Sequence, residues 1–291
     1  NEANADKYYS IAISTLDSAK KLDRFNNNTE LLEAANNNII IRKQAKGNKA
    51  FQNNEFQSAF NYLKEVSEVY PTDTALAINT GLSAQNLNDL NSALFFYNRA
   101  VDHGASNPAI FQAMATIYTA KFENDLAIKS LEQGLAKNAF HPALTNDYIN
   151  LLIDTEKHDK ALQVIEKALA VDNKNKLLFF LYGYLQQLKG RFTTAELAYQ
   201  RSLNLDQNYF DALYQLGITY VDLGNVALKA RNIANDDKSY TAYINKAETT
   251  LLQAHETNPN DKGTVQLLID IYTRKNRLDK VQDLQRKLQE F

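Results

Sequence analysis

The stretch ALFFYNRAVDHGASNPAIFQAMATIYTAKFENDLAIKSLEQG, residues 93–134, repeats itself at a distance of 34 residues. Ala127 answers Ala93, Leu131 answers Tyr97, and Gly134 answers Ala100. Followed in both directions, the alanine becomes a ladder, Ala59, Ala93, Ala127, Ala161 and Ala195, with every step 34 residues long. Self-similarity at a fixed period in this range marks a stack of small structural units and has to be read before any local propensity.

Two further columns keep step with the ladder. Twelve residues before it stand Gly47, Gly81, Ala115, Ile149, Gly183 and Gly217; seven residues after it stand Val66, Ala100, Gly134, Ala168 and Ser202. Small side chains at fixed points are what two helices with axes about 8–10 Å apart require where they approach most closely. Four residues beyond each alanine come Leu63, Tyr97, Leu131, Ile165 and Tyr199, one turn further along the same helical face. Each unit is therefore expected to be helix, turn, helix, turn. Asn53-Asn54, Asn88-Asp89, Asn124-Asp125, Lys157-His158-Asp159 and Lys189-Gly190-Arg191 supply breakers at mid-unit, and Pro71, Pro108, Pro142 and Pro259 fall between units, where a missing N–H is tolerated.

Composition agrees. Nine Gly and four Pro in 291 residues leave few interruptions to helices. The formal net charge of −2 and the scatter of Lys and Arg give no basic stripe, so nucleic acid is not an expected partner. The most apolar run, 177–185, is far shorter than a membrane span, and the absence of Cys removes disulfides and thiolate chemistry. The start at Asn1 reads as a processed or trimmed end.

Leu216-Gly217, Tyr220, Ala247, Leu251, Ala254 and Pro259 follow the order of small, aromatic and proline positions that marks the tetratricopeptide repeat, and most of the chain resembles that family. Phe111, Phe179 and Leu213 stand where the family usually carries tryptophan. The resemblance implies an all-α, right-handed superhelix of about seven repeats, with units at 39–73, 74–107, 108–141, 142–175, 176–209 and 210–261, a capping unit at 262–291, and a divergent helical hairpin at 1–38. In that hairpin Tyr8, Ile11, Ile13 and Leu16 lie at helical spacing, and Thr29 is expected to cap its second helix.

The sixth unit has Lys229 where the ladder predicts alanine, and the pattern resumes at Ala247 after 18 extra residues, or five helical turns. Residues 225–246 contain neither Pro nor Gly. Both helices are expected to lengthen by about nine residues, with Asn235-Asp236-Asp237 at the tip, as a tolerated insertion or a surface for a partner or for self-association. This hairpin and the short unit after it resemble a group of exported bacterial repeat proteins, which implies the periplasm or cell envelope; the cytoplasm is the alternative.

The family's usual binding surface is a concave groove lined by the first helix of each unit. Carried over by position, the resemblance assigns it to Gln44, Asn48, Gln112, Thr116, Asn146, Asn150, Phe180, Tyr184, Tyr214, Ile218 and Asp222. None is Lys or Arg, so a clamp for a terminal carboxylate is not expected; amides and aromatics suit an extended peptide or a helix. Phe180 and Tyr184 could equally be repeat packing. His103, His141, His158 and His255 lie in different units, and no phosphate loop, nucleophile elbow or metal motif occurs, so no catalysis, cofactor or metal is expected. The expected partner is a protein or peptide, and the alternative role is assembly of a cell-envelope complex through 225–246.

Overall fold

A computed structural model describes residues 2–234 and 237–289, with the side chains of 2–6, 231–234 and 237 left out. It is helical throughout these residues, and no strand occurs among them. By internal contact the chain divides into two compact units, Asn1–Leu144 and Thr145–Phe291.

The first unit begins with α1 (Glu2–Leu22) and α2 (Thr29–Gln52). Helical hairpins follow: α2 pairs with α3 (Phe56–Val69), α4 (Thr74–Asn86) with α5 (Leu90–Asp102), and α6 (Pro108–Ala120) with α7 (Asn124–Lys137). From α8 (Pro142–Asp154), which spans the division, the second unit continues with α9 (His158–Val171), α10 (Lys176–Leu188), α11 (Phe192–Leu205), α12 (Phe210–Ala234), α13 (Asp237–Thr257), α14 (Lys262–Arg274) and α15 (Leu278–Gln289). Among the described residues seven helix pairs follow one leading helix, in line with the about seven repeats expected.

Every ladder alanine, Ala59, Ala93, Ala127, Ala161, Ala195 and Ala247, has 0% of its surface exposed. The glycine column faces the large residue four places beyond the ladder alanine of the partner helix. A methyl built on Gly47 would lie 2.7 Å from Leu63, one on Gly81 2.7 Å from Tyr97, one on Gly183 2.8 Å from Tyr199, and one on Gly217 2.5 Å from Leu251. The small residue thus seats the bulky one of its partner helix, and the pair closes each hairpin. Ile149 fills the same register in α8 and is fully buried.

A further column turns the chain at mid-unit, and three of its residues, Asn54, Asn88 and Gly190, belong to the expected breakers. Asn54, Asn88, Phe122, Glu156, Gly190 and Asn276 all have φ between 54° and 70°, the left-handed cap of the first helix. The residue after each donates its N–H five residues back, as in Asp89 N to Ala84 O (2.9 Å) and Glu123 N to Tyr118 O (2.8 Å). At two units the turn therefore falls earlier than the expected breakers: Asn124 opens α7 and His158 opens α9. Phe and Glu have no intrinsic preference for this conformation, so their role was hidden.

Between units, side chains cap the next helix at one register. Asp73, Asn107, Asn175 and Asp261 accept backbone N–H groups, and His141 Nδ1 accepts from Leu144 N at 3.5 Å. Pro108 and Pro142 are first helical residues, as expected. Pro71 and Pro259 instead lie inside the preceding turns, where their fixed φ presets the bend.

Neighbouring hairpins are tied by lysines at the end of first helices. Lys121 bonds Asn91 (3.1 Å), Lys189 bonds Asp159, and Lys275 bonds Asn245 (2.8 Å), each 30 residues apart.

Two expectations change. The boundary at 38/39 meets no helix end, because α2 runs through Asn36-Asn37-Asn38, which are weak helix formers and not breakers. Its start is set by Asp23, whose carboxylate accepts the N–H groups of Asn27 and Asn28; Thr29 is the first helical residue and donates its hydroxyl back to Asn26. Within α1, Tyr9 and Leu16 are buried while Tyr8 and Ile11 are exposed. The insertion at 225–246 does continue both helices, unequally: α12 has 25 residues against 13 in α10, and α13 has 21 against 14 in α11, gains of 12 and 7. Gly224 occupies the turn register yet stays helical, close against Ile244. Of the expected tip, Asn235 and Asp236 lie outside the described residues, as does the side chain of Asp237.

Candidate functional site

First helices present to one side the residues flanking their buried small position. In the first unit Gln44 and Asn48 are half-buried on α2, Gln112 is half-buried on α6, and Thr116 is exposed with its hydroxyl donating to Gln112 O at 2.9 Å. Between them, at the same offsets from Gly81, α4 carries Ile78 and Leu82, both packed on the hydrophobic core. That register was readable from the sequence, and it makes the middle of this face apolar.

The second unit gathers three of the assigned residues into one place. Asn150, Ile153 and Asp154 of α8, Phe180, Leu181 and Tyr184 of α10, and Gln215 of α12 line an open pocket of about 360 Å³. Its spacing follows from helix geometry: Asn150 and Asp154, and Phe180 and Tyr184, are one turn apart on their helices. Phe180 forms part of the wall and is held by rings behind it, with centroids 5.9 Å from Tyr199 and 5.5 Å from Tyr209. Asn146, Tyr214, Ile218 and Asp222 lie on the same helices outside the lining of this pocket. Tyr214 is engaged in packing: it stacks on Phe210 at 6.0 Å, and the missing side chain of Gly263 makes room for its hydroxyl. Burial and the Asp261 charge push the Tyr214 hydroxyl above its usual range.

A polar relay supports α10 from behind. Buried Tyr199 donates its hydroxyl to Gln187 Oε1 at 2.8 Å, and burial pushes its pKa well above the ordinary phenol value. The Gln187 side chain lies beside Asp222 of α12. Half-buried Asp222 is raised above the normal carboxylate range by desolvation, an effect the nearby Gln187 amide opposes. Among the described residues neither Asp154 nor Asp222 pairs with Lys or Arg.

Another concavity, of about 600 Å³, opens between α1 and α2 and is lined mostly by apolar side chains, including Tyr8, Ile11, Leu16 and Ile39. Tyr8 and Ile11 share helical spacing with Leu16, and that spacing alone does not say which of two flanking faces is covered.

The histidines stay apart. His103 ends α5, His141 caps α8, His158 begins α9, and His255 sits on α13 with Nε2 at 2.8 Å from Lys287 Nζ. Among the described residues no group of three or more His, Asp or Glu is placed to hold a metal ion. No described helix is long and apolar enough to cross a membrane.

No family model matches the chain. A tetratricopeptide repeat-containing protein, trd-1 of Caenorhabditis elegans, is 21% identical over 146 residues, which make up 50% of this chain and 19% of that protein. Among solved structures, the C-terminal part of a tetratricopeptide repeat-containing protein from Cytophaga hutchinsonii has a TM-score of 0.60 at 13% identity, covering 83% of this chain and 92% of that one. YrrB, described as a tetratricopeptide protein with an unusual peptide-binding site, has a TM-score of 0.52 at 20% identity over 70% of this chain and 96% of its own. The fold is therefore that of the tetratricopeptide repeat proteins, a fold suited to holding other proteins.

Proposed function

We propose that this tetratricopeptide-fold chain is a non-catalytic scaffold that docks a protein or peptide segment along the face of its first helices, and that it does not clamp a terminal carboxylate. The supporting observation is the pocket in which Asn150, Phe180 and Tyr184, assigned from position alone, converge with Gln215 from a third helix. Side-chain amides can pair with the backbone of an extended segment, and a half-buried Tyr offers a large apolar anchor with little entropy to lose. A terminal carboxylate needs Lys, Arg or several N–H donors, and none of the eleven assigned positions is cationic. Peptide binding by YrrB is a use of the same fold. Sequence likeness to exported bacterial repeat proteins favours a periplasmic or envelope location.

The test replaces Asn146, Asn150 and Tyr184 together by Ala and compares the proteins crosslinked to parent and variant in cells, with far-UV circular dichroism and melting to establish that the variant folds. Loss of a specific crosslinked partner is expected. A folded variant that retains all crosslinked partners of the parent contradicts docking on this face.

A second reading, self-association through 225–246, is favoured by one observation: Val226 and Leu228, on the lengthened part of α12, are exposed. Deleting 225–246 is then expected to lower the sedimenting mass; an unchanged mass argues against it.

A further inference from the structure

The docking reading leaves open what kind of segment is held, and the charges around the α8–α10–α12 face narrow it. The pocket contains one acidic side chain, Asp154, beside a wall made by Phe180, Leu181, Ile153 and Tyr184. Asp222, half-buried on neighbouring α12 outside the pocket lining, lies beside the Gln187 side chain. In α8, α10 and residues 210–225 the sequence has a single cation, Lys176, against four acids, Asp147, Asp154, Asp211 and Asp222. Lys176 is unavailable to the pocket, since its Nζ is bonded to Asp206 and lies 4.8 Å from the centroid of the Tyr209 ring. Lys189, at the end of α10, is tied to Asp159. The pocket is thus apolar and aromatic with an acidic edge, and among the described residues neither Asp154 nor Asp222 is paired with Lys or Arg.

A carboxylate partly withdrawn from water, as Asp222 is, loses hydration that an incoming cation restores. Aromatic faces beside such a carboxylate add a cation–π contribution for Lys or Arg, and the long methylene stem of either residue covers apolar wall. An acidic segment would meet like charge, and a purely apolar one would leave half-buried Asp222 without a counter-charge.

We infer that the α8–α10–α12 face selects a segment carrying Lys or Arg beside aliphatic residues, with the cationic side chain over Tyr184 and attracted by Asp154 and Asp222. This rests on the docking reading above, and the test separates the two. Peptides of nine residues, acetylated and amidated so that no terminal charge contributes, are arrayed with randomised flanks and a central Arg, Lys, Gln or Glu. Binding of the purified chain is measured for the array and then in solution for selected Arg members and their Gln counterparts. Arg and Lys members are expected to be enriched, and an Arg member to bind about tenfold more tightly than its Gln counterpart at low salt. Added salt should erode that difference. Asp154→Asn, at an exposed position, and Asp222→Asn are each expected to reduce the Arg-over-Gln preference several-fold; Tyr184→Ala should weaken both peptides. Equal binding of Arg, Gln and Glu members, or a preference for Glu, overturns the cationic assignment and leaves docking intact if Tyr184→Ala still abolishes binding. A preference for Arg that both Asp variants retain also overturns it. If no member binds, the cationic assignment and the docking reading fall together.

Discussion

Replacing Gly217 by Ala tests the logic of the whole repeat in one residue. A helix interior ordinarily gains from this change, by about 1 kcal/mol, because Ala restricts the unfolded chain and adds helix propensity. Here the new methyl would lie 2.5 Å from Leu251 Cδ2 and 2.6 Å from Leu251 Cγ, and Leu251 is fully buried. Ordinary carbon contacts are about 3.5–4.0 Å, so α12 and α13 must part by roughly 1 Å or Leu251 must leave its rotamer. Overpacking of this kind costs about 1–3 kcal/mol, and the severity of the overlap places it in the upper half of that range. Net destabilisation of about 1–2 kcal/mol is expected, opposite in sign to the propensity effect. A double-mutant cycle isolates the cause. Leu251→Ala alone should cost about 2–5 kcal/mol, and in its background Gly217→Ala should become stabilising, since the methyl then occupies vacated space. The measurement is native-state hydrogen exchange of the α12 and α13 amides beside urea unfolding, because stacked repeats need not unfold in one step. If Gly217→Ala stabilises the parent, or destabilises both backgrounds equally, close approach of the two helices is not what holds this column small.

Other consequences concern turns and titrating groups. Phe122 is 91% exposed with φ at 60°, at the register where Asn54, Asn88 and Asn276 also stand, so Phe122→Asn should raise stability by about 1 kcal/mol in urea unfolding; unchanged or lower stability would refute the assignment of this column. Burial first, then Lys287, holds the His255 imidazole below its usual range, with Glu256 opposing, and Nδ1 is buried without a hydrogen-bond partner. A lowered folded pKa stabilises above the unfolded value and loses that contribution as pH falls through the folded one, so melting temperature should drop from roughly pH 7 to pH 5 and drop less in His255→Gln. Burial pushes the hydroxyls of Tyr97 and Tyr209 up to about 12 and that of Tyr199 further. Raised folded values protect the fold below the ordinary tyrosine pKa of about 10 and cease to as pH rises, so these phenols should ionise, read by ultraviolet absorbance, together with alkaline unfolding and not before it.

Much of this molecule is written along one dimension. Ala59 through Ala247, the glycine column and the residues four beyond the ladder state which faces meet, because a repeat unable to bury its apolar face alone has to present the same face every 34 residues. The 18-residue insertion was legible as extra helix for the same reason: it kept helical phase and lacked breakers. What could not be read were conformations imposed against preference. Phe122 and Glu156 take the left-handed turn because the helices on either side leave the chain no other path, and nothing in a phenyl ring or a carboxylate announces it. The helix through residues 36–38 likewise persists on packing that weak helix formers cannot signal.

The candidate site divides the same way. Offsets from the small column identified Asn150, Phe180 and Tyr184 as sharing a face, since position along a helix sets direction. Only the tertiary structure showed that they enclose a pocket with Asp154 and Gln215, that Tyr214 is committed to Phe210 and the space at Gly263, and that Asp222 is turned toward Gln187. Periodicity specifies the direction of a side chain from its own helix, whereas enclosure and desolvation depend on the distance to a neighbouring helix, which is a property of the packed chain.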